Sequence, residues 1–181
     1  MAASTVSTIS YDELGDNFPV GSKYNDVWIK ANEFDIGSGT PAISAHGESG
    51  KFEFIETIPF ADNDEVEYVW RLPFDVDVRE RVYFAFALIS DGANKSTTLT
   101  ITYDALAGGE VTAAGATALD GTIPAKACTT ADYLYYTYYG WIEGAKLTAG
   151  DLLHITVKST SNTTADNVEL VGMHIVWHSK R

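Results

Sequence analysis

The fold class is indicated most clearly by one run of residues, Glu80-Arg-Val-Tyr-Phe-Ala-Phe-Ala-Leu-Ile-Ser90. It is apolar on both sides of an extended chain, because alternate residues of a strand point to opposite faces. A helix of this length is conceivable, but the aromatic enrichment and the flanking turn residues favour a central strand covered on both sides. Asp91-Gly92-Ala93-Asn94 then predicts a hairpin turn, after which Thr98–Tyr103 returns as an alternating strand. We predict that these two strands pair.

Further strands are marked by the same alternation or by short apolar runs between turn residues. In the last predicted strand, Asn167–His178, alternate residues point to the same side, which places Val171, Met173, Ile175 and Trp177 on one face. A total of roughly eight or nine strands with almost no helical periodicity predicts an all-β fold, an antiparallel β-sandwich like a jelly roll. The other predicted strands are Asp26–Lys30, Phe52–Ile58 (ended by Pro59), Val66–Trp70, Asp132–Ile142, Leu153–Val157 and Asn167–His178.

Composition divides the chain into an arm and one domain. Residues 1–25 are small and polar and predict an N-terminal arm, either disordered or laid along a neighbour. Residues 26–181 predict a single sandwich domain, with a Gly/Ser-rich loop at 35–50. Residues 104–131, rich in Ala, Gly and Thr, predict an insertion that is a linker, a loose loop or weak strands around Val111 and Ile123. Because a structureless loop of this length is unusual, we expect some strand content or an excursion to a partner.

The charge of the chain excludes several kinds of partner. Twelve basic residues against 25 acidic ones give a net charge of −13. Nucleic acid and anionic membrane surfaces are therefore not expected to bind, since both attract basic proteins. The single cysteine, Cys128, excludes an internal disulfide and predicts an inert thiol. The first residues lack the features of a signal peptide, so we expect synthesis in a cytosol.

No catalytic motif, metal site or cofactor site is predicted. His174 and His178 lie roughly 13 Å apart on a strand, too far for one metal ion. The Gly47–Gly50 segment lacks the spacing and the context of a nucleophile elbow. The acidic turn Asp62–Glu65 predicts a solvated turn, although calcium is an open alternative there.

An aromatic run supplies the candidate contact surface. Tyr133 to Trp141 contains five tyrosines and one tryptophan, of which we expect about half in the core. The exposed ones would either stack on sugar rings or form a protein interface. The predicted interface residues are Tyr11, Trp28, Tyr136, Tyr138 and Trp141.

The layout resembles small virion proteins of tailed bacteriophages, the head decoration (cement) and head-fibre proteins with a jelly-roll sandwich. Three stretches carry the likeness: Val27-Trp28-Ile29 after a short arm, the Gly/Ala/Thr-rich middle at Gly108–Thr122, and the ending Ala149–Trp177. The ending looks like the last two strands of such proteins, which pair across the sheet.

The resemblance implies a non-enzymatic capsid decoration protein on the virion surface, made in the host cytoplasm. Its partners would be the major capsid protein and other copies of itself, most often as a homotrimer, without nucleic acid or membrane. The alternative is a carbohydrate- or receptor-binding module of a head fibre or tail adhesin. A glycoside hydrolase or lyase on the same sandwich is a third hypothesis.

Overall fold

The computed structural model describes residues 24–39, 43–46, 55–107, 117–162 and 168–180. Those residues form thirteen strands, β1 to β13, and two short 3-10 helices, Ala31–Glu33 and Gly144–Lys146. In the described part of the chain, no helix is long and apolar enough to cross a membrane. The strands are β1 (Tyr24–Lys30), β2 (Asp35–Ile36), β3 (Ser44–His46), β4 (Ile55–Phe60), β5 (Glu65–Arg71), β6 (Val82–Ser90), β7 (Lys95–Leu106), β8 (Thr117–Ala118), β9 (Lys126–Cys128), β10 (Tyr135–Tyr136), β11 (Gly140–Ile142), β12 (Leu152–Asn162) and β13 (Val168–His178).

These strands build two antiparallel sheets that face each other as a jelly-roll sandwich, which confirms the predicted fold class. The seven-stranded sheet has the order β10-β6-β13-β4-β3, with β1 also paired to β13 and β11 to β6. The six-stranded sheet has the order β2-β5-β12-β7-β8, with β9 also paired to β7. The core lies between the sheets and is filled by residues such as Phe84, Phe86, Leu153, Ile155 and Met173.

Strand β6 is central and covered on both faces, as its sequence predicts. Its core-facing side chains include Phe84 and Phe86, while Ala85 belongs to a second buried cluster on the outer side. One edge of β6 pairs with β13 and the other with β10 and β11. Both hydrogen-bonding edges are therefore occupied within the seven-stranded sheet.

The predicted hairpin between β6 and β7 is wrong. β7 pairs with β12, β8 and β9 in the opposite sheet, so residues 91–94 connect the two layers. Because both edges of β6 are occupied, the strand that follows it cannot pair with it. The last two strands do not pair either: β12 lies between β5 and β7, whereas β13 lies between β6 and the pair β1 and β4.

A β-bulge interrupts the alternation that the sequence predicts for the last strand. The pairing of β13 with β6 shifts register between Leu170 and Gly172. Leu170, before the bulge, and Met173, after it, therefore both face the core, while Val171 is only half-buried. An extra residue in one strand changes which side chains point inward, and period-two counting cannot anticipate it.

The aromatic run forms two short strands instead of one long strand. Between β10 and β11, the Thr137 hydroxyl accepts the N–H of Phe86 at 2.9 Å, taking the place of a backbone carbonyl. The backbone N–H of Thr137 in turn donates to the Phe86 carbonyl. These two hydrogen bonds interrupt the regular backbone pairing of the aromatic run with β6. Tyr138 and Tyr139 therefore no longer follow the regular alternation of side chains between the two faces of the sheet.

Other boundaries differ from the predictions in smaller ways. Pro59 lies inside β4 opposite Glu169, so it does not end that strand. The predicted loop at 35–50 contains β2 and β3, and the predicted insertion contains β8 and β9. Ile123 is buried but lies outside any strand. Predictions for most of the arm and for Val111 lie outside the described residues.

Candidate functional site

The outer surface of the seven-stranded sheet is lined by aromatic and polar side chains. On β1, β6 and β13 they alternate with the core positions and point away from the sandwich. The register places Trp28 opposite His174 and Tyr24 opposite His178. We call this surface the aromatic face. Its members are Tyr24, Asp26, Trp28, Tyr83, Tyr139, His174, Val176 and His178.

Four rings of the aromatic face form a continuous path across the sheet. The Tyr83 and Tyr139 centroids are 6.2 Å apart with planes at 89°. Tyr139 lies 6.1 Å from His174, and His174 lies 6.5 Å from Trp28. Edge-to-face and tilted contacts at these distances are favourable, so the rings hold one another in place.

The Trp28 ring packs closely on a glycine, and part of the residue stays exposed. A Cβ added to Gly172 would come within 2.6 Å of Trp28 Cζ2 and within 2.4 Å of the Ile29 carbonyl oxygen. Only a residue without a side chain lets the indole and the β1 backbone approach β13 this closely. Trp28 is 38% exposed, and the other side of its indole lies against the sheet.

Beside Trp28, three polar groups form a hydrogen-bonded chain. His174 Nε2 lies 2.9 Å from Asp26 Oδ2, and His174 Nδ1 lies 2.8 Å from the Tyr139 hydroxyl. A carboxylate only accepts, so Nε2 carries a proton, and in the neutral imidazole Nδ1 then accepts from Tyr139. Tyr139 is fully buried, so the chain runs from the covered part of the face to the exposed Asp26 carboxylate.

The phenols at the other end of the face remain hydrogen-bond donors. Burial raises the pKa of both the Tyr24 and the Tyr83 hydroxyl, and the charge of Glu80 contributes in the same direction. The Tyr24 ring packs edge-on against His178 at 4.4 Å. Both hydroxyls therefore stay protonated at neutral pH.

A surface depression of about 580 Å³ begins at His178. Its walls are residues 77–80 and 178–180. Asp77 binds the Arg79 guanidinium through two hydrogen bonds of 2.8 and 2.6 Å, and the guanidinium lowers the pKa of Asp77 to about 2. The depression thus continues from the aromatic face to the oppositely charged side chains of Asp77 and Arg79.

The structure brings only some of the predicted interface residues to an exposed position. Trp28 is exposed on the aromatic face, Tyr138 is 42% exposed, and Tyr136 is half-buried on β10. Tyr11 lies outside the described residues.

Trp141 requires a correction, because it is only 6% exposed. Its ring packs on Gly121, where an added Cβ would come within 2.2 Å of Cε3, and the Arg81 guanidinium covers it at 4.6 Å. The indole N–H donates to Glu143. Trp141 therefore fastens the 120–121 segment to β11 and offers no free surface.

Sequence reasoning missed Asp26, His174, Tyr139 and Gly172 as members of the site. Asp26 and Trp28 have the same parity on one predicted strand, so their shared face could have been found. The contact between Asp26 and His174 depends on the register of β1 against β13, which no local pattern reveals. Among the described residues, no group of three or more His, Cys, Asp or Glu side chains could hold a metal ion.

The six-stranded sheet carries a second exposed apolar area. Val69, Phe74 and Leu152 are each more than 40% exposed, Phe74 the most at 70%. The Arg71 guanidinium lies 4.8 Å from the Phe74 ring centroid, and Arg71 pairs with Leu152 across β5 and β12. We call Val69, Arg71, Phe74 and Leu152 the Phe74 patch.

No protein-family model matches the sequence, and no curated protein matches it. Solved structures match in fold. The chain aligns over 89% of its length with 99% of a CBM22 xylan-binding domain from Paenibacillus barcinonensis, at 13% identity and a TM-score of 0.50. It aligns over 83% with 97% of a family 35 carbohydrate-binding module from Clostridium thermocellum, at 10% identity and a TM-score of 0.50.

The fold is similar to that of carbohydrate-binding modules. A third match, an isomalto-dextranase from Arthrobacter globiformis, covers 84% of this chain and 23% of the enzyme, at 14% identity and a TM-score of 0.53. The two matches that this chain spans almost completely are binding domains. Such low identities establish the jelly-roll sandwich alone, since one fold hosts many functions.

Proposed function

We propose that this chain is a non-enzymatic binding module that recognises carbohydrate on the aromatic face. The observation that carries the proposal is the Trp28 indole, seated on Gly172 with one surface exposed. An apolar ring beside fixed hydrogen-bonding groups suits a sugar, which has apolar C–H faces and a rim of hydroxyls. The similarity of the fold to a xylan-binding domain supports the same choice.

The polar groups of the face favour a sugar over a protein partner. The centres of protein interfaces are depleted in charged residues, because an unmatched charge is costly to bury. Asp26 lies on β1 beside the exposed Trp28 ring, two residues away, with its side chain 68% exposed. Sugar hydroxyls can donate to this carboxylate directly, whereas an apolar protein surface cannot.

Isothermal titration calorimetry of the wild-type chain with cellohexaose, xylohexaose and mannohexaose tests the proposal. At least one of these should bind, and Trp28→Ala should weaken that binding about 30-fold or more, the scale of a tryptophan anchor. Phe74→Ala is the matched control, since it removes an exposed aromatic ring outside the face. Equal losses in the two variants, or no binding by the wild type, would contradict the proposal.

Capsid decoration is the second candidate function, and the Phe74 patch is the observation that favours it. An exposed apolar area of this kind is typical of a contact with another protein chain. Light scattering after size-exclusion chromatography should then show a trimer, and the chain should co-sediment with phage capsids. A monomer that does not co-sediment would remove this candidate.

A further inference from the structure

We infer that Asp26 selects the ligand of the aromatic face, and that the ligand is an uncharged oligosaccharide. This inference rests on the proposed carbohydrate-binding function and adds a residue and a ligand class to it. Asp26 and Trp28 project from the same side of β1, about 7 Å apart along the strand. A sugar ring stacked on the indole would therefore place its hydroxyls beside the carboxylate.

The hydrogen-bonded chain fixes the orientation of that carboxylate. His174 binds Oδ2 at 2.9 Å and is itself bound by the buried Tyr139 hydroxyl. The His174 side chain is only 13% exposed, so its ring cannot swing away to follow a ligand. Oδ1 and the second lone pair of Oδ2 can then accept hydrogen bonds from a ligand at fixed positions. Preorganised acceptors lower the entropic cost of binding.

The charge beside Trp28 disfavours an anionic sugar. Asp26 is negative and the whole chain carries −13, while Arg81 and Glu80, of opposite charge, both act on Tyr83 at the other end of the face. Lys30, two residues beyond Trp28, is the cation that β1 contributes. A uronate or sulfate group beside Asp26 would meet a like charge, which costs affinity. Neutral hydroxyls donate to the carboxylate without this penalty.

Asp26→Asn tests the inference because it keeps the shape of the side chain and removes its charge. Calorimetry would compare the hexaoses above with hexagalacturonate as the anionic probe. We expect the neutral ligand to bind Asp26→Asn about tenfold more weakly than it binds the wild type, which is the scale of one charge-assisted hydrogen bond. We also expect the ratio of its affinity to that of hexagalacturonate to fall. Asp35→Asn removes the same charge from an exposed position on β2 and should change neither value.

His174 and Tyr139 act as positioning residues, which a pair of substitutions distinguishes from a merely structural role. His174→Gln retains a donor for Asp26 and should keep most of the affinity, whereas His174→Phe should lose it as Asp26→Asn does. Both variants need an unchanged far-ultraviolet circular dichroism spectrum. Equal affinity of the two folded variants would overturn this role.

The results separate failure of the inference from failure of the proposed function. Loss of binding in Trp28→Ala with no change in Asp26→Asn would overturn the inference and leave the function intact. Tighter binding of hexagalacturonate than of every neutral hexaose would also overturn it. A wild-type chain that binds none of the four probes would overturn both.

Discussion

Gly172→Ala should disrupt both the stability of the sandwich and the aromatic face. The added methyl group would stand 2.4 Å from the backbone oxygen of Ile29 and 2.6 Å from Trp28 Cζ2. The carbonyl belongs to the β1–β13 ladder and cannot rotate away, so β1 must shift. Overpacking of this kind costs about 1–3 kcal/mol of the free energy of unfolding. Urea denaturation followed by tryptophan fluorescence measures this loss.

Gly37→Ala is the matched control for that experiment. Its nearest neighbours are side-chain atoms of Glu67 and Glu65, which give way more easily than a backbone carbonyl does. We expect a change within about 0.5–1 kcal/mol, and a small gain is reasonable because alanine restricts the unfolded chain. If Gly172→Ala were as stable as Gly37→Ala, with unchanged glycan affinity, the close seating of Trp28 on β13 would be refuted.

Three further predictions concern other parts of the chain. Gly121→Ala should destabilise the fold by about 1–3 kcal/mol in urea denaturation, because its Cβ would enter the Trp141 ring; an unchanged midpoint would contradict the packing. Arg79 lowers the pKa of Asp77 from 3.8 to about 2. The stabilisation by this pair is thus present above about pH 4 and lost as the pH falls toward 2. The melting temperatures of the wild type and Asp77→Asn should therefore differ at pH 5 and converge near pH 2, and a constant gap would argue against the ion pair. Burial raises the pKa of Cys128, so Ellman's reagent should react with it in urea and not in the native protein.

Much of the fold could be predicted because burial patterns are local. The two-sided apolar run of β6 predicts a central strand, and the alternation at 66–70 predicts β5. The pairing of β6 and β7 could not be predicted, because it depends on which sheet edges are already occupied. The bulge at Val171 likewise appears only in the pairing of β13 with β6.

The site was less accessible to sequence reasoning than the fold. Trp28 could be proposed from its residue type, and its position on β1 was predicted. Its close packing on β13 depends on Gly172, which is distant in sequence. Asp26 reaches His174 only through the register of two strands. Trp141 shows the opposite case, where an aromatic residue that suits an interface is covered by the 120–121 segment.

Nuclear magnetic resonance titration can show where carbohydrate binds and so test the proposed claim that it binds on the aromatic face. The chain would be labelled with ¹⁵N and titrated with the hexaose that calorimetry identifies. We predict that the largest chemical-shift changes fall on the Trp28 indole N–H and on the amides of Asp26 and His174. Shifts confined to the Phe74 patch, or no shifts with any hexaose, would contradict the claim.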